Sequence, residues 1–238
     1  MELKPVRTNE QGFGRGYAGD AAIRTAEGQK VLRNTYLLLA LTMVPTTIGA
    51  WIGTHTAGIL MASPMLSFLL MLGGVIGLQF GIAKYRNSGI GVALLLAMTG
   101  LLGWWLGPLL NVALSMANGM QLVGYAAVGT GVIFFGMGAI ASTSKRDFSF
   151  MGKFLFVGMI ALLVAIIANM FLQIPALALT ISTLVIVVFS LFLLYDLQRI
   201  MRGGETNYIM ATTGVYMSLF NIFANLLHLL LAFSGERE

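Results

Sequence analysis

Residues 181–201 read ISTLVIVVFSLFLLYDLQRIM, and this stretch decides the fold. No side chain before Asp196 carries a charge, and apolar groups point in every helical direction. A helix rises about 1.5 Å per residue, so roughly 20 such residues cross a hydrocarbon core of about 30 Å. A soluble helix of this length would show a charged face toward water. This one carries no charge before Asp196, so it reads as a transmembrane helix. Asp196 is also the only acidic residue inside any long apolar run of the chain. A charge at membrane depth costs on the order of 2.5–3.5 kcal/mol on insertion scales, so Asp196 calls for a partner or a task.

The same reading recurs along the chain. Of its 238 residues, 58% are hydrophobic and 10% charged, with mean hydropathy +0.87; soluble domains carry about 25% charged residues. Apolar runs of spanning length fall at 31–54, 62–83, 89–111, 119–143, 151–172, 175–200 and 208–233. The predicted fold class is all-α: a polytopic membrane protein with seven transmembrane helices. The domain division is a flexible N-terminal tail at 1–29 and a seven-helix transmembrane domain at 30–238. That leaves no room for a soluble catalytic domain.

Charge sets the expected topology. The net charge of +5 is no nucleic-acid signature, because the basic residues sort by connection. Every second connection is free of Lys and Arg, while the others hold Lys84 and Arg86, then Lys145, Arg146 and Lys153, then Arg199 and Arg202. Together with the tail through Arg33, every basic residue except Arg237 falls on one side. The positive-inside rule then predicts a cytosolic N-terminus and a periplasmic C-terminus. The first 30 residues are polar and show no cleavable signal peptide. The absence of cysteine excludes thiolate chemistry, and with only His55 and His228 no histidine-rich metal site, metal or cofactor is expected.

Small and aromatic residues suggest packing. Gly73, Gly77 and Gly81 recur every four residues and are expected to line a face packed within the bundle. Gly100, Gly103 and Gly107 near Pro108 predict a bent third span. The turn around Asn111 is then expected to be re-satisfied by a side chain or a water. Trp51, Trp104 and Trp105 fall toward one interface, as an aromatic belt would. No internal repeat supports a secondary transporter. The tail holds too few apolar groups for a core, with a short helix expected near Asp20–Gln29. It reads either as a solvated segment that aids topology or as a handle for a partner.

The last span carries a polar stripe. Gly214, Ser218, Asn221, Asn225 and His228 are spaced 4, 3, 4 and 3 apart, which places them on one helix face. Such a stripe must face protein or a watery cavity. It reads either as interhelical glue or as the lining of an ion or water path. The turn 203–207 makes the last two spans an antiparallel hairpin, putting Asp196 about 10 Å and Ser218 about 16 Å from it. Two partners for Asp196 therefore stand open: the Ser218/Asn221 region, or Arg199 on the same helix. The candidate pore or sensor residues are Asp196, Arg199, Ser218, Asn221, Asn225 and His228. No nucleophile elbow, no second membrane aspartate and no phosphate loop accompany them, so catalysis is not expected.

The quoted runs resemble the Bax inhibitor-1 family of membrane proteins, in its bacterial YccA-like branch. They are KVLRNTYLLLALT (30–42), GPLLN (107–111), KRDFSFMGKFLFVGMIA (145–161), ANMFLQIPALALTIS (168–182) and GGETNYIMATTGVYMSLFNIFANLL (203–227). The resemblance runs from about Lys30 to Gly235. It implies seven helices with one central helix surrounded by the others, in a bacterial inner membrane. For this branch it implies association with a membrane-anchored AAA protease of the FtsH type, as slow substrate or competitive modulator engaged through the tail. Other family members resemble pH-sensitive calcium leak channels, with calcium or protons as partners and a pair of aspartates as sensor. The first aspartate matches Asp196; the second matches Ser218, which cannot share a proton as a carboxylate does. That departure puts the protease-modulator reading ahead of the calcium leak.

Overall fold

The computed structural model describes the backbone of residues 11–235 and the side chains of 28–235. Among the described residues every element is a helix: α1 Gln11–His55, α2 Ala57–Ala62, α3 Pro64–Lys84, α4 Gly89–Ser115, α5 Gly119–Thr143, α6 Met151–Leu172, α7 Pro175–Met201 and α8 Tyr208–Gly235. Seven of them are long and apolar enough to cross a membrane, with α1 doing so over Gly28–His55. Their limits lie within a few residues of the expected spans, because hydropathy along a spanning helix ends where the polar connections begin.

Local chemistry explains the boundaries. Pro64 and Pro175 open α3 and α7, at a position where a missing N–H costs nothing. The α6 helix ends at Gln173, which adopts a left-handed φ of 51°, and Asn169 Oδ1 accepts the N–H of Ile174 at 3.1 Å. Asn207 caps α8, its Oδ1 accepting from the N–H groups of Ile209 (3.0 Å) and Met210 (3.1 Å). Gly203, at φ 72°, turns the chain between α7 and α8.

Two expectations change at the N-terminal half. The segment set apart as a tail at 1–29 is helical from Gln11 onward, in one piece with the first span; residues 1–10 lie outside the described residues. Helix propagation from an existing span adds a bond per residue, so the expected short helix at Asp20–Gln29 merges with its neighbour. The connection after α1 also coils into the short α2.

α8 is the central helix: it packs against α1, α3, α4, α5 and α7, and α6 lies outside on α7. Tyr216, Val215 and Ile222 of α8 bury themselves among Leu193 and Leu197 of α7 and Leu95 and Met98 of α4. The outer helices leave large apolar groups uncovered, such as Phe135 at 73% and Phe154 at 77% exposure. In water such a surface would be an aggregation hazard; in hydrocarbon it is the ordinary outer face.

The close helix contact is between α1 and α4. A Cβ at Gly49, Gly53, Gly103 or Gly107 would overlap the backbone of the opposite helix. These glycines let the two backbones approach without lost packing. The expectation for α3 is corrected: Gly73 and Gly77 face open space, and Gly81 alone meets a neighbour, Leu94. Period-four spacing shows that glycines share a face, but when every face is apolar it does not say which face turns inward. α4 remains one helix through Pro108. Next to it, Asn111 Nδ2 donates to Thr54 O (2.9 Å) and Trp104 Nε1 to Thr56 Oγ1 (2.8 Å).

The basic connections gather at one end of the bundle. Asn207 Nδ2 donates to Arg86 O, and Arg202 Nη2 donates to Arg146 O, at 2.8 and 2.7 Å. Gly28 sits against the carbonyls of Ile200 and Met201 at this same end. Gly235 lies at the other end, beside Met116.

Candidate functional site

Asp196 is placed by the hairpin geometry of α7 and α8. It stands seven residues before Gly203, and Gly214 stands seven after Asn207, so the two lie level across the hairpin. A Cβ at position 214 would come within 2.7 Å of Asp196 Oδ2. The missing side chain of Gly214 is therefore what gives the carboxylate its space. Neither expected partner is bonded to it. Arg199 instead pairs with Glu205 in the α7–α8 turn at 2.8 Å, and its Nε donates to Gly204 O at 3.3 Å. No hydrogen bond or ion pair to the Asp196 side chain is found among the described residues.

The polar stripe of α8 divides into parts with different work. Ser218 is buried at 2% exposure, one turn beyond Gly214. Asn221 Nδ2 donates to Met217 O (2.8 Å), and Asn225 Nδ2 donates to Asn221 O (2.9 Å). Both amides thus fold back on their own helix. His228 Nδ1 lies 2.9 Å from Ser182 Oγ of α7, a bond across the helix pair. Of the stripe, His228 serves as glue, and Ser218 and the two asparagines leave Asp196 unbonded.

Three features were missed in the sequence. Gln198, buried at 3% exposure, clamps the α5–α6 connection: its Oε1 accepts from Phe148 N and its Nε2 donates to Arg146 O, both at 2.8 Å. Arg202 adds its bond to the same carbonyl and lies 3.8 Å from Asp147. Two residues on from Asp196, a glutamine in an apolar helix was a visible polar signal, but nothing local shows what it binds. Asp147 Oδ1 accepts from Ser149 Oγ (2.6 Å) and Ser149 N (2.9 Å). These bonds, with Arg202 nearby, hold its carboxyl below the ordinary carboxylate range. Finally, Tyr216 OH lies 2.8 Å from Thr46 Oγ1 and 3.3 Å from Thr99 O, joining α8 to α1 and α4.

The clamp leaves a cavity of about 230 Å³ at the basic end, lined by Asp147, Ser149, Tyr195, Gln198, Arg199 and Arg202. Chemically, the hairpin therefore presents an unbonded carboxylate packed against Gly214. One residue away, at Tyr195, begins a polar chamber ringed by two arginines.

The family model described as inhibitor of apoptosis-promoting Bax1 matches residues 28–235. A protein of Escherichia coli K12 named modulator of FtsH protease YccA is 42% identical over 201 residues, covering 84% of this chain and 89% of that one. An uncharacterized membrane protein of Vibrio cholerae is 42% identical over 207 residues, covering 87% and 91%. A protein of Neisseria meningitidis serogroup B is 37% identical over 220 residues, covering 91% and 97%.

Proposed function

Because the chain belongs to the Bax inhibitor-1 family, we propose that it is a bacterial inner-membrane protein that binds and modulates a membrane-anchored AAA protease of the FtsH type. The observation that carries this reading is the 42% identity, over most of both chains, with a protein named as a modulator of that protease. The form of α1 supports it. Its part before Gly28 adds about 25 Å of helix beyond the span, on the side of the basic connections. Gly12, Gly14, Gly16 and Gly19 each weaken a helix by about 1 kcal/mol relative to alanine. An ATP-driven unfoldase would unwind such a segment at little cost, whereas the seven-helix bundle behind it resists. That combination suits a slow substrate that occupies the protease and competes with others.

The test is co-purification from detergent of the protease with the full chain and with a chain lacking residues 1–29. Protease recovered with the full chain, and less of it with the shortened one, is expected. Recovery with neither sinks the reading.

A second reading rests on Asp196, whose carboxylate is unbonded beside Gly214. In it the chain is a calcium or cation leak, with Asp196, Arg199, Ser218, Asn221, Asn225 and His228 along the path. Ser218 in place of a second acid weakens this reading. Calcium-dye flux in liposomes decides it, and flux unchanged in Asp196→Asn removes Asp196 from the mechanism.

A further inference from the structure

An apolar groove of about 700 Å³ opens between α1 and α5, with Leu219 of α8 and Met201 of α7 at its floor. Leu32, Tyr36 and Met43 form one wall, and Phe134 and Ala139 the other. Tyr36 and Phe134 meet edge to face at 5.9 Å between centroids, tying the two walls together. The volume is that of a ligand site, for which 300–1,000 Å³ is usual.

Its length tells what fits. From Leu32 to Met43 the α1 wall rises about 16 Å, close to half of a hydrocarbon core of about 30 Å. The groove begins at the end of the bundle where the basic connections lie and stops at mid-depth. A transmembrane helix from a partner would need the full thickness; a single acyl chain needs one leaflet. The rim adds charge of one sign. Lys30 and Arg33 flank the groove's start on α1, and Lys145 and Arg146 follow Ser142, the last lining residue of α5; all four are exposed. The neighbouring acid, Asp147, is engaged by Ser149 and faces Arg202.

We propose that this groove holds an acyl chain of an anionic glycerophospholipid from the leaflet at the basic end, with the lipid phosphate among Arg33, Lys145 and Arg146. Each basic group near a lipid surface favours an anionic headgroup by about fivefold. The walls supply the shape and the rim supplies the headgroup preference, and neither depends on the protease reading.

The full chain is reconstituted in phosphatidylcholine vesicles doped with phosphatidylglycerol, re-extracted in detergent, and its retained lipid is quantified by native mass spectrometry. Phosphatidylglycerol bound near one per chain and enriched over its share in the vesicles is expected. Arg33→Gln and Arg146→Gln should each lower that enrichment about fivefold. Ala139→Trp, which fills an exposed part of the groove, should abolish retention, and Ala40→Trp on the opposite wall should do the same if the first variant folds poorly. A photo-crosslinking side chain at position 139 should yield a lipid adduct. Retained lipid matching the vesicle composition, retention indifferent to all four substitutions, or an adduct to a polypeptide (a partner's helix or a second copy) would each overturn the assignment.

Discussion

Gly214 of α8 stands level with Asp196 of α7, and the glycine's missing side chain leaves the space the carboxylate occupies. A Cβ there would come within 2.7 Å of Oδ2, closer than carbon and oxygen pack. Gly214→Ala should therefore force the carboxylate to move, an overpacking cost of up to about 1–3 kcal/mol offset by about 1 kcal/mol of helix propensity, with the net loss read as a lower melting temperature in detergent. Asp196→Ala in the same chain should recover most of the loss. Purely additive losses would mean that the two positions do not share space.

Gln198 holds the α5–α6 connection through two backbone bonds. Gln198→Leu keeps the volume but leaves Phe148 N–H without its acceptor, at about 1–3 kcal/mol where that group stays buried, while Arg146 C=O keeps its bond from Arg202. Hydrogen exchange at the Phe148 amide should accelerate, and cleavage at Lys145 or Arg146 by trypsin should become faster. Unchanged exchange would show that the clamp does not hold the loop.

The glycine correction makes a paired prediction. Gly53→Leu or Gly103→Leu should separate α1 from α4 and cost about 3 kcal/mol or more, since backbone rather than a yielding side chain stands in the way. Gly77→Leu, which faces open space, should leave melting within about 0.5 kcal/mol of the parent. Equal damage at positions 53 and 77 would contradict the packing described.

Asp147 sets an acid limit on the same loop. Its folded carboxyl is depressed by Ser149 and Arg202, so its contribution is complete above the unfolded value of about 3.9. It is lost as pH falls through the lower, folded value. Tryptic sites lie in this loop, but trypsin fails in acid, so pepsin accessibility is the suitable measure. Protection from this source should persist down to about pH 4 and fall below it, whereas Asp147→Asn should remove the dependence.

Legibility followed the range of the physics involved. The spans, the seven-helix count and the end where the basic loops gather could be read, because transfer free energy and charge bias add up residue by residue along the chain. The antiparallel pairing of α7 and α8 was also readable, since rise per residue is constant, but the spacing points to Ser218, and the residue against Asp196 is Gly214, one turn nearer the connection. The sequence leaves Arg199 open as a partner for Asp196, because its observed partner, Glu205, sits in the turn rather than on the helix face. Gln198 was passed over because its acceptor and donor belong to a loop some 50 positions away.

Hydrophobicity and charge along the chain were enough to say that this polypeptide crosses the bilayer repeatedly and carries one acid, Asp196, within its apolar spans. They could not choose which helix faces meet. Hydrocarbon solvates leucine about as well as a protein interior does, so transfer energy is blind to the direction a lipid-facing helix turns. Shape decided it: backbone meeting backbone at Gly53 and Gly107, Tyr216 reaching Thr46 and Thr99, and the carboxylate of Asp196 fitting against Gly214. Those contacts exist only once the helices are assembled.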